Sequence, residues 1–159
     1  MAIPFLTQTE GMNLAHDARI LALGGLLSAS VALLHFAVIF VGAPAYRYLG
    51  AGERMAIMDE RGDRRPAAMT AALTVVFAVW AAYAFSGAGL IQPLPFLRAG
   101  LVGIGAVYAL RGLVLFPQLV MTLSGGSGAP PRHLFFSAVS LVIGMAYLVG
   151  VARIWRRLP

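Results

Sequence analysis

Arg111 is the residue whose chemistry demands an account first. It stands inside the apolar run VYALRGLVLF, and taking a guanidinium out of water costs at least a few kcal/mol even on lenient insertion scales. The chain has four long apolar runs, and none of them contains an Asp or Glu to neutralise it. Three ways of satisfying the charge stand open. The side chain can snorkel toward the end of its helix near Pro117. It can hydrogen-bond to helix-terminal carbonyls, Tyr108 and Ser or Thr hydroxyls. Or it can hold an anionic ligand such as a lipid phosphate or a carboxylate.

Other polar residues share its level. His35 lies late in the first run and Arg111 late in the third. If both runs are helices pointing the same way, a rise of about 1.5 Å per residue puts both side chains roughly 4–5 Å beyond the middle of their helices. The second and fourth runs point the other way, so their early residues, Thr70 and Thr74, Ser137 and Ser140, reach the same level. Helical spacing supports the grouping, because residues three or four apart share a face. Thr70 and Thr74 are so spaced, as are Ser137 and Ser140, and Tyr108 and Arg111. Gly24, Ser28, Ala32 and His35 make a stripe of mostly small residues on the first helix. The expectation is a polar pocket at half depth, lined by His35, Tyr108, Arg111, Thr70, Thr74, Ser137 and Ser140.

What could such a pocket do? A lone histidine could ligate haem or a metal, or relay protons. Haem b in a bundle needs a second histidine facing the first, and His133 sits too far toward the end of its helix to match. No cofactor and no metal are therefore expected, and the structural role for His35 is a hydrogen bond across the bundle. Cysteine is absent, which excludes disulfides, thiolate nucleophiles and Cys-ligated clusters. Lysine is absent too, and with it Schiff-base chemistry. The stretch SGGSGAPP lacks the Lys and the following Ser or Thr of a phosphate-binding loop.

The elements that position these residues follow from composition. Of 159 residues, 60% are hydrophobic and 11% charged, with a mean hydropathy of +0.83. A soluble domain carries roughly 25% charged residues. A membrane-spanning helix needs about 20 mostly apolar residues, and four such stretches fill the chain, at about 20–43, 66–91, 96–121 and 133–152. The predicted fold is a single all-α integral membrane domain, an up-down four-helix bundle with short connections.

Pro44 ends the first span, Pro66 starts the second, and QPLP turns the chain into the third. Residues 53–61 read either as a short amphipathic helix on the membrane or as a solvated loop with internal charge pairing. SGGSGAPPR reads as a flexible linker, and residues 1–19 as a short tail, or an interfacial helix, that is no signal peptide. Gly105, Ala109 and Gly112 have the spacing that lets helices approach closely, within the bundle or between protomers.

The net charge of +6 comes from 12 arginines, most of them flanking the apolar runs. They suit phospholipid head groups, and no nucleic-acid partner is expected. Arg19, Arg98, Arg153, Arg156 and Arg157 fall on the side of the termini. Six others fall on the opposite side, five of them interleaved with acids. The undiluted set puts the termini in the cytoplasm.

The runs LLHFAVIFVGAPAYRYLGAGE, WAAYAFSGAG, LPFLRAG and VYALRGL resemble those of a group of small four-span proteobacterial membrane proteins, and the layout is similar to that of DoxX-type proteins. The resemblance implies the bacterial inner membrane and brings no activity, cofactor or catalytic residue. Three functions fit the residues. The first is a non-enzymatic protein binding or transporting an anionic or amphipathic small molecule or lipid. The second is an accessory subunit facing a partner membrane subunit or a second copy of itself. The third is a small enzyme acting on lipid or quinone, with His35 as base and Arg111 as stabiliser of developing charge.

Overall fold

In a computed structural model, residues 8–124 and 130–158 are described, with side chains from residue 18 onward; among them there are helices and no strands. The elements are α1 (Gln8–Val41), α2 (Ala43–Leu49), α3 (Glu53–Glu60), α4 (Arg65–Gly87), α5 (Leu97–Leu113), α6 (Leu115–Leu123) and α7 (Pro131–Ile154), followed by a 3₁₀ turn at Trp155–Arg157. Residues 1–7 of the expected tail and 125–129 of the expected linker lie outside the described residues. From Gln8 the tail is already helical and continuous with α1.

Four stretches are long and apolar enough to cross a membrane: Ala18–Val41, Arg65–Gly87, Leu97–Leu123 and Pro131–Arg157. Neighbouring helices are antiparallel. On α1, Leu21 meets Gly87 of α4 and Gly150 of α7, while further along His35 meets Phe77. On α5, Gly105 packs on Leu148, Gly112 on Leu141, and Ala109 on Gly144 of α7. The small-residue spacing of α5 is thus spent inside the bundle, against α7. Contact between α4 and α5 runs from Tyr83 against Gly100 to the ring pair Trp80–Tyr108.

Polar and apolar residues are arranged against the usual order of a water-soluble domain. No more than 33% of the most apolar stretch of any of the four helices is buried, and Leu33, Phe40, Val75, Leu110 and Phe135 all point outward. Ser28, Thr70, Ser86 and Ser137 are buried instead. Each has found a partner, as a buried hydroxyl must. Tyr147 Oη donates to the Trp80 carbonyl at 2.8 Å, so Ser28 Oγ, 3.0 Å away, donates to Tyr147. This fully buried tyrosine ties α1, α4 and α7 together.

Three helix boundaries differ from expectation. Pro44 does not end the first long helix; it sits in the first turn of α2, where its missing N–H costs nothing. The break is at Gly42, with φ +71° and ψ −140°. The second long helix stops at Gly87, and Gly89 takes a positive φ, so residues 88–91 form a turn rather than helix. The third is divided at Val114 into α5 and α6. At the other end of the bundle, Arg98 donates through Nε and Nη2 to the Leu158 carbonyl and lies over the Trp155 ring, fixing the end of the chain against the start of α5.

Candidate functional site

Helices α2 and α3 fold into a small hairpin across the end of the bundle, and three features hold it there. The Asp59 carboxylate accepts a hydrogen bond from the Ala43 amide at 2.8 Å, which caps α2. Arg47 grips both ends of α3, pairing with Glu53 at 2.8 Å and Glu60 at 2.6 Å. Tyr46 is buried, with its hydroxyl 3.3 Å from that of Thr70 on α4. The start of α7 closes the far edge, Arg132 lying over the Tyr48 ring and His133 against Gly50. Residues 53–60 are therefore a short helix and not a loop, and its two glutamates pair with Arg47 of α2 rather than within the segment.

Beneath the hairpin lies a cavity of about 530 Å³, inside the range of small-molecule sites. It is open, and its wall is mostly apolar: Val31 and Val38 of α1, Leu73 and Phe77 of α4, Val107 of α5 and Ile143 of α7 all contribute. The polar atoms in that wall come from few residues. Of the expected set, His35, Thr70, Tyr108, Arg111 and Ser140 line the cavity. Thr74 and Ser137 do not. Thr74 turns its hydroxyl back to the Thr70 carbonyl at 3.0 Å, a common way for a helix to absorb a threonine. Ser137 is fully buried behind Arg111.

Arg111 is met by hydroxyl and amide groups of its own chain. Its Nη1 donates to Ser137 Oγ at 2.9 Å, and Ser137 donates to Gln118 Oε1 at 2.9 Å. This is the internal-bonding solution, made with a serine hydroxyl and without Tyr108. One N–H of five is used, and the guanidinium remains exposed on the cavity side, so further donors stay open to a ligand. Gln118 stands on α6, beyond the break at Val114; a glutamine within the apolar run LFPQLV is the sequence signal for it.

His35 Nδ1 lies 2.8 Å from the Val31 carbonyl. A carbonyl only accepts, so Nδ1 carries the proton, and in the neutral ring Nε2 is left as an acceptor. His35 therefore bonds within its own helix and not across the bundle. Its ring lies against Phe77 at 4.8 Å, and Phe77, Trp80 and Tyr108 continue as a file of rings to Tyr147. Tyr108 is buried, and the protein encloses its hydroxyl. Phe77 and the hairpin's Tyr46 complete the wall; an apolar residue in a helix apolar on every face gives no sequence signal of which way it points.

No protein-family model, no curated protein and no solved structure matches this chain.

The Arg47 clamp makes the hairpin sensitive to acid. Hydrogen bonds from Arg47 hold the carboxyls of Glu53 and Glu60 below their ordinary value. A depressed carboxylate contributes stability at and above its ordinary range and loses it as pH falls through the folded value. Amide exchange across residues 43–60, corrected for intrinsic rates, should thus accelerate below the ordinary carboxylate range. Global stability should barely change, since the pair is exposed. Arg47→Met should reproduce the fast exchange at neutral pH; unchanged protection in both cases would mean that the clamp does not hold the hairpin.

Proposed function

We propose that this chain is a multi-pass protein of the bacterial inner membrane that binds, and in that way carries or presents, an amphipathic small molecule or lipid. The outward apolar faces of all four long helices support the membrane placement. In water they would form apolar patches far larger than the few hundred Å² that monomeric proteins tolerate. The binding reading rests on one observation: an open, largely apolar cavity of about 530 Å³ with a guanidinium in its wall that uses one of its donors. In this reading the ligand's apolar body lies along Phe77, Val107 and Ile143, and its polar head meets Arg111.

The accessory-subunit reading loses much of its motive. The small-residue face of α5 is covered by α7, and Arg111 has polar partners of its own without a carboxylate from another chain.

Native mass spectrometry of the protein released from nanodiscs tests the proposal. A small molecule or lipid bound at a fixed stoichiometry is expected, and Arg111→Ala should deplete it. Identical adducts on both proteins would place any bound molecule elsewhere and sink this role for the cavity.

A further inference from the structure

The seam between α4 and α5 is packed at one end and parted at the other. Residues three, four or seven apart share a helix face. Met69, Leu73, Trp80 and Tyr83 therefore make one stripe of α4, and Gly100, Val107 and Arg111 one stripe of α5. Toward the termini the two stripes meet, Tyr83 lying against Gly100. Toward the hairpin they part. Met69 is 58% exposed, Leu73 45% and Val107 50%, Arg111 is exposed as well, and all four line the cavity. Side chains that are half-exposed and also belong to a cavity wall stand at an opening, and these four rim one between α4 and α5. Leu34 of α1, 43% exposed, is a half-exposed wall residue away from this seam, and it has no charge beside it.

We infer that the cavity takes a long-chain carboxylate sideways from the bilayer, through the opening between α4 and α5, and holds its head on Arg111. This inference rests on the binding reading above and names both the class of the ligand and its route. Met69, Leu73 and Val107 make the rim apolar, so it faces hydrocarbon and admits a chain already dissolved there. The guanidinium on the same rim has N–H groups to spare, and among the described residues no Asp or Glu lines the cavity. A carboxylate accepts two parallel N–H bonds from such a fork. Depth and cover select a small head. Ser137, which holds the guanidinium, lies six residues inside the start of α7, about 9 Å along the helix. The hairpin roofs the cavity, braced on α4 at Thr70 and on α7 at His133. A phosphodiester brings a glycerol and a second chain to that depth, whereas a carboxylate is the small end of a single chain.

Trp80 lines the cavity, and the other tryptophan, Trp155, lies in the turn at the end of the chain. In a Trp155→Phe background, bromine on a lipid chain therefore quenches fluorescence only where the chain reaches Trp80. Three brominated probes are added to this protein in nanodiscs: dibromostearate, its methyl ester, and dibromostearoyl phosphatidylcholine. Dibromostearate is expected to quench saturably, at a concentration at least about tenfold lower than the ester, which keeps the chain and loses the charge. Arg111→Gln should erase that preference. Leu73→Phe combined with Val107→Phe narrows the opening and should slow quenching by dibromostearate about tenfold. Leu34→Phe, and Leu110→Phe on an exposed face of α5 outside the cavity wall, should leave the rate near that of the parent.

Equal quenching by the acid and its ester would overturn the carboxylate assignment, and this comparison needs no variant of the cavity wall to fold. A preference for the acid that survives Arg111→Gln would overturn Arg111 as its holder. Saturable quenching by the phosphatidylcholine alone would likewise overturn the carboxylate while supporting the reading that the cavity binds a lipid. An unchanged rate in the Leu73→Phe, Val107→Phe protein, or a rate slowed by Leu34→Phe instead, would overturn the route. If none of the three probes quenches saturably, both the carboxylate and the cavity's role as a binding site fall.

Discussion

Gly112→Ala is expected to destabilise the protein, whereas Gly103→Ala, nine residues earlier on the same helix, is expected to stabilise it slightly. Alanine is the better helix former by about 1 kcal/mol, so propensity alone would raise both. What separates them is space. A Cβ at Gly103 meets nothing within 4 Å, while one at Gly112 comes within 2.5 Å of the backbone N and Cα of Leu141. Backbone cannot turn aside as a side chain can, so α5 and α7 must move apart. Overpacking of this kind costs about 1–3 kcal/mol and sometimes more, enough to outweigh the propensity gain.

The same displacement reaches the site, because Arg111 and Ser137 hold their bond across this seam. Thermal unfolding of the two variants and the parent in one detergent reads the signs directly. A lower midpoint for Gly112→Ala beside an unchanged or higher one for Gly103→Ala is the expected pair. Midpoints that move together would mean that the helices separate at no cost.

The contrast between these two glycines also shows where sequence reading reached its limit. Hydropathy located all four long helices, because apolar runs of this length have few other uses, and alternate placement of Arg111, His35, Thr70 and Ser140 put them at one level. Which face of each helix turned inward was harder to read. A helix apolar on all sides has little of the periodic contrast that marks a buried face, so only its few polar and small residues carried phase. That sufficed for the stripe of Gly24, Ser28, Ala32 and His35. It failed for Thr74 and Ser137, whose hydroxyls are consumed by the Thr70 carbonyl and by Arg111 and Gln118. The hairpin over the cavity was half visible: its charges suggested a short helix, but nothing local announced that Asp59 would reach back sixteen residues to the Ala43 amide.

That contact makes Gly42 an exacting position. Its backbone, φ +71° and ψ −140°, lies where L-residues are rarely found and where strain of about 1–3 kcal/mol is usual for a side chain. A Cβ there would also fall 2.5 Å from Asp59 Oδ2, the oxygen that caps α2. Gly42→Ala therefore combines a forbidden backbone with the eviction of a capping carboxylate, whose loss costs about another 0.5–2 kcal/mol.

Relief comes most cheaply by releasing the hairpin, since α1 and α4 stay packed below it. Hydrogen exchange should then show lost protection over residues 43–60 and near-parental protection in the bodies of α1, α4 and α7. Asp59→Asn, which keeps the shape and weakens the acceptor, should give a milder loss over the same residues. Because Tyr46 and Leu49 of this hairpin form part of the cavity wall, release would also open the cavity at its end, and ligand dissociation from Gly42→Ala should be faster. Fast exchange spreading evenly through all four long helices would instead show that the hairpin is a cooperative part of the bundle and no separable cover.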